Sequence, residues 1–286
     1  MSISAGDVKK LRDMTNAPMM DCKAALEKAG GDMQKAAQIL REQNKTIAEK
    51  KGARETAEGR IAIHIEPSRG VAAILEVRCE SAPVAKNEQF VALCNDLARH
   101  LTLTDTVPAS VDALLAQPFA GDPNRTVRDR IEDVVGLIRE NMKPARFHRL
   151  AGGQFGSYVH FDGTVGVLLQ VEGSATADPQ LLKDICMHIT ARQPVAARRE
   201  DVAEAVLARE KEIAQAQIAA DPKNKNKPAN ILEKIAEGTL KAWYAENILV
   251  EQPFVKDDSK TVGDLLRAAG LTVKQFVRYK VGEIGT

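Results

Sequence analysis

The chain has almost no charge imbalance. Its 40 Lys and Arg face 39 Asp and Glu, so no overall field draws it to nucleic acid or to an anionic membrane, and partners must be recognised by shape. It also lacks long hydrophobic runs: nothing approaches the roughly 20 apolar residues of a membrane span. The opening MSISAGDVKKLRDM has no apolar centre of signal-peptide type, and the expected location is the cytosol. The four cysteines, Cys22, Cys79, Cys94 and Cys186, include no CxxC pair, which argues against a zinc or redox motif and for reduced, buried side chains. No phosphate-binding GxxxxGK[ST] loop, GxGxxG turn, HExxH or GxSxG is present. The five histidines, His64, His100, His148, His160 and His188, show no local metal-ligand spacing. His160 and His188 each invite a functional reading, but read more simply as satisfied core or edge residues. No metal and no cofactor are expected, and the chain reads as an interaction protein, not an enzyme.

What is present is a plan used twice. Residues 70–101 contain a short apolar run of strand formers, Val71 to Val77, a polar loop at 78–86, and a helix whose Phe90, Leu93, Cys94, Leu97 and Leu101 share one face. A second copy spans 165–191, with Val165, Val167, Leu168, Leu169 and Val171 as the strand and Leu182, Ile185, Cys186 and Ile189 as the stripe. Laying Leu93-Cys94 over Ile185-Cys186 aligns the two.

Around this plan the chain divides readily. Residues 7–43 form three helices: Val8, Leu11 and Met14 on the first, Met20, Ala24 and Leu26 on the second, a break at Gly30-Gly31, then Asp32 capping a third with Met33, Ala36, Ala37 and Leu40 buried. Met19 and Met20 are adjacent, so helical geometry turns one of them outward. Residues 44–60 are charge-rich and read as a solvated linker or a frayed helix. Ile61, Ile63 and Ile65 alternate as a strand joined to the next by Pro67-Ser68-Arg69-Gly70. A helix is expected from Thr126 to Met142, stopped by Pro144, and Asp162-Gly163 marks a hairpin into the second copy. Two helices bracketing the polar turn 221–228 predict an antiparallel hairpin, whose lysines have no interleaved aromatics to stack bases. A helix beginning at Ser259 or Thr261 and a last strand through Phe276 to Val281 complete the second sheet. The resulting division is a helical module at 1–50 with linker to 60, a core subdomain at 61–145, a second at 146–200 resumed at 250–286, and the helical hairpin at 201–249.

The string Leu11-Arg12-Asp13-Met14-Thr15-Asn16-Ala17-Pro18-Met19-Met20-Asp21-Cys22-Lys23-Ala24-Ala25-Leu26 closely resembles the opening of the bacterial elongation factor Ts family. Further matches are Leu75-Glu76-Val77 with Cys79, Val84-Ala85-Lys86, Gly156-Ser157-Tyr158 with His160, Met187-His188, and Gln252-Pro253-Phe254-Val255 leading to Ser259-Lys260-Thr261-Val262-Gly263. The resemblance implies an α+β fold with a ubiquitin-associated-like (UBA-like) N-terminal module, a two-part core and a projecting coiled coil. It implies a role in translation elongation: binding elongation factor Tu with GDP and promoting GDP release so that GTP can load. A second copy bound through the helical hairpin is carried as a further partner, with neither nucleic acid nor membrane expected.

In that family Met20 and Lys23, with Met19 beside them, would belong to the module that docks on the partner, Ile138 would lie on a supporting helix, and His160 would lie near the interface in the second core half. The family's Thr-Asp-Phe-Val-Ala loop, which pushes toward the partner's magnesium site, matches Ser81, Ala82, Pro83, Val84 and Ala85 here. Ala82 has no carboxylate and Pro83 no aromatic ring, so the resemblance leaves two readings: a rigid Pro83-Val84 wedge that still drives exchange, or an adaptor with weakened exchange. Arg139 stands where the family often has glycine, and the chain ends at Thr286 without the extra C-terminal helix of some members.

Overall fold

The computed structural model describes residues 3–224 and 227–283, which fall into two compact units. The first comprises the described residues up to Ala151 together with 159–166 and 279–283. It begins with a reciprocal cap: Ser4 Oγ accepts from the Asp7 N–H at 3.1 Å while the Asp7 carboxylate accepts from the Ser4 N–H at 3.3 Å. Helices α1 (Ala5–Thr15), α2 (Met19–Lys28) and α3 (Met33–Lys51) then enclose a small core of Val8, Leu11, Cys22, Ala25, Leu26, Ala36 and Leu40. Two expected core residues face water instead: Met14 is 59% exposed and Met20 73%. The expected linker 44–60 is helical as far as Lys51, because Ile47 and Ala48 pack on the neighbouring sheet's core and tertiary contact overrides a polar local sequence.

Strands β1 (Glu58–Glu66) and β2 (Val71–Cys79) pair antiparallel, Glu66 opposite Val71, as the alternation and the turn at Gly70 predict. A one-turn helix α4 (Ala82–Ala85) and a long helix α5 (Glu88–Leu103) follow. Phe90, Leu93, Cys94, Leu97 and Leu101 of α5 are all fully buried against the sheet; each of the large ones contributes about 1.5–3 kcal/mol. Helix α6 (Val111–Ala116), a tight hairpin of β3 (Pro118–Phe119) and β4 (Asp122–Thr126), and helix α7 (Val127–Ile138) lead to β5 (Met142–Ala151). The sheet order is β1-β2-β5. The expected helix 126–142 thus stops at Ile138, and Pro144 lies not beyond a helix but inside β5, at the bulge where it faces Val77. Glu76, buried on β2, accepts from Arg78 at 2.8 Å, Arg146 at 2.7 Å and the Gly282 N–H at 3.1 Å, which pins 279–283 to this unit.

The second unit comprises 152–158 and 167–278. Its sheet runs β10-β7-β6, from β6 (Gln154–Val159), β7 (Val165–Gly173) and, at the end, β10 (Leu271–Lys280). Helix α8 (Pro179–Arg192) covers it with Leu182, Ile185, Cys186 and Ile189. Helices α9 (Glu204–Ala220) and α10 (Ala229–Asn247) pack on each other; of the polar turn expected between them, Lys225 and Asn226 lie outside the described residues. A hairpin of β8 (Pro253–Phe254) and β9 (Asp257–Thr261) and helix α11 (Val262–Ala268), capped by Thr261 and not by Ser259, precede β10. All four cysteines are free and buried.

The internal repeat is deeper than the sequence reading, and its register is different. His100 of α5 contacts the Gln117-Pro118-Phe119 hairpin as His188 of α8 contacts Gln252-Pro253-Phe254. Each Nε2 bonds the glutamine Oε1 (2.9 and 2.8 Å), and each Nδ1 accepts a backbone N–H, from Ala120 at 3.1 Å and from Val255 at 3.2 Å. Each ring lies on the phenylalanine, at 6.0 and 5.8 Å between centroids. Thr126 with Asp129 and Thr261 with Asp264 then form the same reciprocal cap. His100 therefore matches His188, one helical turn away from the alignment on Leu93-Cys94. With Nδ1 accepting, the proton sits on Nε2 and both rings are neutral; burial holds both below the ordinary histidine pKa, against the pull of the glutamine bond.

Candidate functional site

The residues proposed from sequence lie in the first unit, and most of them meet at the corner between α7 and β5. Ile138, half-buried on the first core, is the last residue of α7. Arg139 follows with φ 68° and ψ 24°, the left-handed conformation, and turns the chain out of the helix. Its Nη2 reaches Asp21 Oδ2 at 2.6 Å. Asp21 sits between Met20 and Lys23 on α2, so this ion pair ties the candidate module face to the corner. Met19 is 43% exposed beside the more open Met20, so both methionines face outward. Lys23 is exposed as well and makes only a long contact of 3.9 Å to Glu27.

The next residue, Glu140, reaches the other way. Its carboxylate accepts from Ser81 N at 3.1 Å and Ser81 Oγ at 2.7 Å. The Ser81 hydroxyl is thereby diverted from capping α4, and the whole entry to that turn is fixed by one carboxylate. The segment 81–84 is not a loop as expected: Ala82–Ala85 form a helical turn, closed by Ala85 N to Ser81 O at 3.1 Å. Proline is tolerated in this first turn because its missing N–H would have no helical partner there. Ala82 and Pro83 are exposed, Val84 half-buried and Ala85 buried, so the turn presents a small apolar tip and roots itself in the core.

A second layer stiffens the corner. Asn141 N donates to Glu80 Oε1 at 2.6 Å and Asn141 Nδ2 to the Arg54 carbonyl at 2.8 Å, while Arg54 reaches Glu80 at 3.3 Å. Burial raises the Glu80 pKa, but the Asn141 N–H and the Arg54 contacts outweigh it and hold the carboxyl below its ordinary value. Cys79, next to this network, is pushed up to about 12 by burial and then by the Glu140 charge, so it has no thiolate character.

His160 does not join this corner. It begins the turn into β7, its N–H donating to Val165 O at 2.8 Å and its ring lying against Phe161 at 4.6 Å between centroids. It relates to the corner through β1: Ile61 N donates to Gly163 O at 2.8 Å, and α4 packs on the same strand. Sequence reasoning missed Asp21 and Glu140 as organising residues. Their partners are far along the chain and no local pattern marks such pairs. Among the described residues no group of His, Cys, Asp or Glu is arranged to hold a metal, and no helix is long and apolar enough to cross a membrane.

Known proteins resemble this chain along its length. A family profile described as Elongation factor TS matches residues 82–283. Proteins named Elongation factor Ts are similar along nearly the whole chain: that of Aquifex aeolicus is 39% identical over 99% of each chain. The one from Thiobacillus denitrificans is 45% identical over 98% of this chain and 92% of its own, and the one from Thioalkalivibrio sulfidiphilus 42% over 99% and 93%.

Proposed function

The chain belongs to the elongation factor Ts family, and from that membership we infer that it is a guanine nucleotide exchange factor in protein biosynthesis, acting on elongation factor Tu. Its work is differential binding. To release GDP it must hold the nucleotide-free partner more tightly than the filled one, and by reciprocity each tenfold loss of nucleotide affinity requires about 1.4 kcal/mol of extra contact. Family membership favours exchange over the adaptor reading.

The observation that supports the surface is the corner at Arg139 and Glu140, which bonds Asp21, the neighbour of Met20 on α2, on one side and Ser81, the entry to Ala82, Pro83 and Val84, on the other. In this reading Ile138 supports the corner, His160 extends the surface, and the Pro83 tip works as a wedge: with neither carboxylate nor aromatic ring, it displaces the partner's phosphate-binding elements by steric occupancy. The three helices α1 to α3 act as the UBA-like docking module, consistent with their separate core. The pair α9 and α10 acts as a coiled coil. Val206, Ile213 and Ile231, 37–40% exposed along it, favour pairing with a second copy. The setting is the cytoplasm, where this partner works.

Release of fluorescent GDP from elongation factor Tu provides the test. Wild type is expected to accelerate it, and Pro83→Gly to lose most of the acceleration; an unaffected rate in that variant refutes the wedge.

A further inference from the structure

We propose that Phe161 is a contact residue for elongation factor Tu, supplying from a neighbouring turn the aromatic ring that the 81–84 segment lacks. The proposal rests on the exchange-factor reading above and names a further part of the same surface.

Phe161 is 87% exposed, the most open large apolar side chain among the described residues. A single exposed apolar residue is ordinary on a soluble protein. What sets Phe161 apart is how firmly it is held. The backbone from 160 to 164 is closed by His160 N to Val165 O and Gly163 N to His160 O, both at 2.8 Å. Asp162 Oδ1 accepts from both Thr164 N and Thr164 Oγ1 at 2.9 Å. Gly163, at φ 79°, lies so close to the Arg60 side chain that an added Cβ would come within 2.5 Å of it. The phenyl ring rests against His160, tilted by 56°. Nothing in the fold requires this side chain to be apolar, yet the turn presents it in a fixed direction, so little conformational freedom remains to be lost on binding.

Its place on the strand is the second part of the argument. The turn bonds to the free edge of β1 at Ile61, which faces Glu76 on β2, while Glu58 of the same strand faces Cys79 at the mouth of the 81–84 turn. Three residues of strand separate these points, about 10 Å. Helix α4 also packs on β1. One strand therefore carries both the Pro83 tip and Phe161. The side chains exposed around this half, Met14, Met19, Met20, Arg139 and Phe161, are of the types enriched at the centres of protein interfaces.

Affinity for nucleotide-free elongation factor Tu and the dose dependence of GDP release test this together. Phe161→Ala is expected to weaken binding by about 30-fold, the scale of an interface anchor, and to raise the half-maximal concentration in the release assay. Phe161→Tyr should keep wild-type affinity, and Val107→Ala, another exposed apolar residue of this unit, should change nothing. Unaltered thermal melting checks that each variant is folded. Phe161→Ala within twofold of an active wild type overturns this proposal alone. A wild-type chain that neither binds the partner nor discharges it overturns the exchange reading, and this proposal with it.

Discussion

In each half of the molecule the helix after the small hairpin ends near a left-handed residue at φ 68°, Arg139 as the cap of α7 and Gly270 one residue beyond the Ala269 cap of α11. Glycine takes that conformation freely, and nothing but the Ala175 Cβ, at 3.7 Å, would meet an added side chain there. An arginine in it costs about 1–2 kcal/mol of backbone strain. The second half has the residue that the backbone prefers; the first has one whose guanidinium reaches Asp21 on another element. What the repeat shares is the apparatus of folding: histidine on hairpin, threonine cap, buried stripe. What differs is what each helix end reaches.

The largest expected effect breaks the shared part. His100→Ala and His188→Ala each leave a glutamine Oε1, half-buried on Gln117 and buried on Gln252, and a backbone N–H without a partner and open a cavity, at a cost of roughly 3 kcal/mol. Hydrogen exchange should localise the damage: faster at the Ala120 amide in the first variant and at the Val255 amide in the second. A loss in one variant without the other would end the claim that the clamps are equivalent.

A reciprocal exchange sharpens the comparison. Gly270→Arg gains strain, and should lose about 1–2 kcal/mol in denaturant unfolding. Arg139→Gly relieves a similar strain and gives up a half-exposed ion pair worth about 0–1 kcal/mol, so its stability should stay near wild type or rise slightly. Its exchange activity should nevertheless fall, chiefly through a higher concentration needed for half-maximal effect, because α2 is no longer tied to the corner. Full activity in Arg139→Gly would show that the tie has no role in binding.

The smallest effect is on pH. Both clamp histidines titrate lower in the fold than in the unfolded chain, whose reference is about 6.5, so the folded protein binds fewer protons there. Their contribution is complete above that reference and is lost as pH falls through the lowered folded values. Unfolding midpoints should drop between pH 7.5 and 5.5, and less steeply in His100→Gln than in wild type.

Much of this fold is legible in the residues. The stripe of α5, the apolar run Val71 to Leu75 of β2 and the Asp162-Gly163 turn carry periods and turn chemistry that few other structures fit. The errors have physical causes too. Apolar stripes on a helix repeat every turn, so aligning the two copies by Leu93-Cys94 and Ile185-Cys186 was ambiguous by one turn, and only the contacts of His100 and His188 set the register. Residues 44–51 look solvated because most are polar, yet two packed side chains, Ile47 and Ala48, suffice to continue α3. Pro144 looks like a helix stop, but a left-handed arginine ended α7 five residues earlier. Of the candidate surface, Met20, Lys23, Pro83 and Ile138 are named by the resemblance alone. The bonds that gather them run through Asp21, Arg139 and Glu140, and pairing across such stretches of chain leaves no trace in local pattern.

Arg139 and Glu140 are neighbours joined by one peptide, with Cα atoms about 3.8 Å apart, and each grips a different part of the surface. Such a double-ended hook works as a gauge. In the proposed surface the methionine face and the proline tip are thereby held at a set spacing, and a shift imposed at one contact is passed to the other across a single planar link.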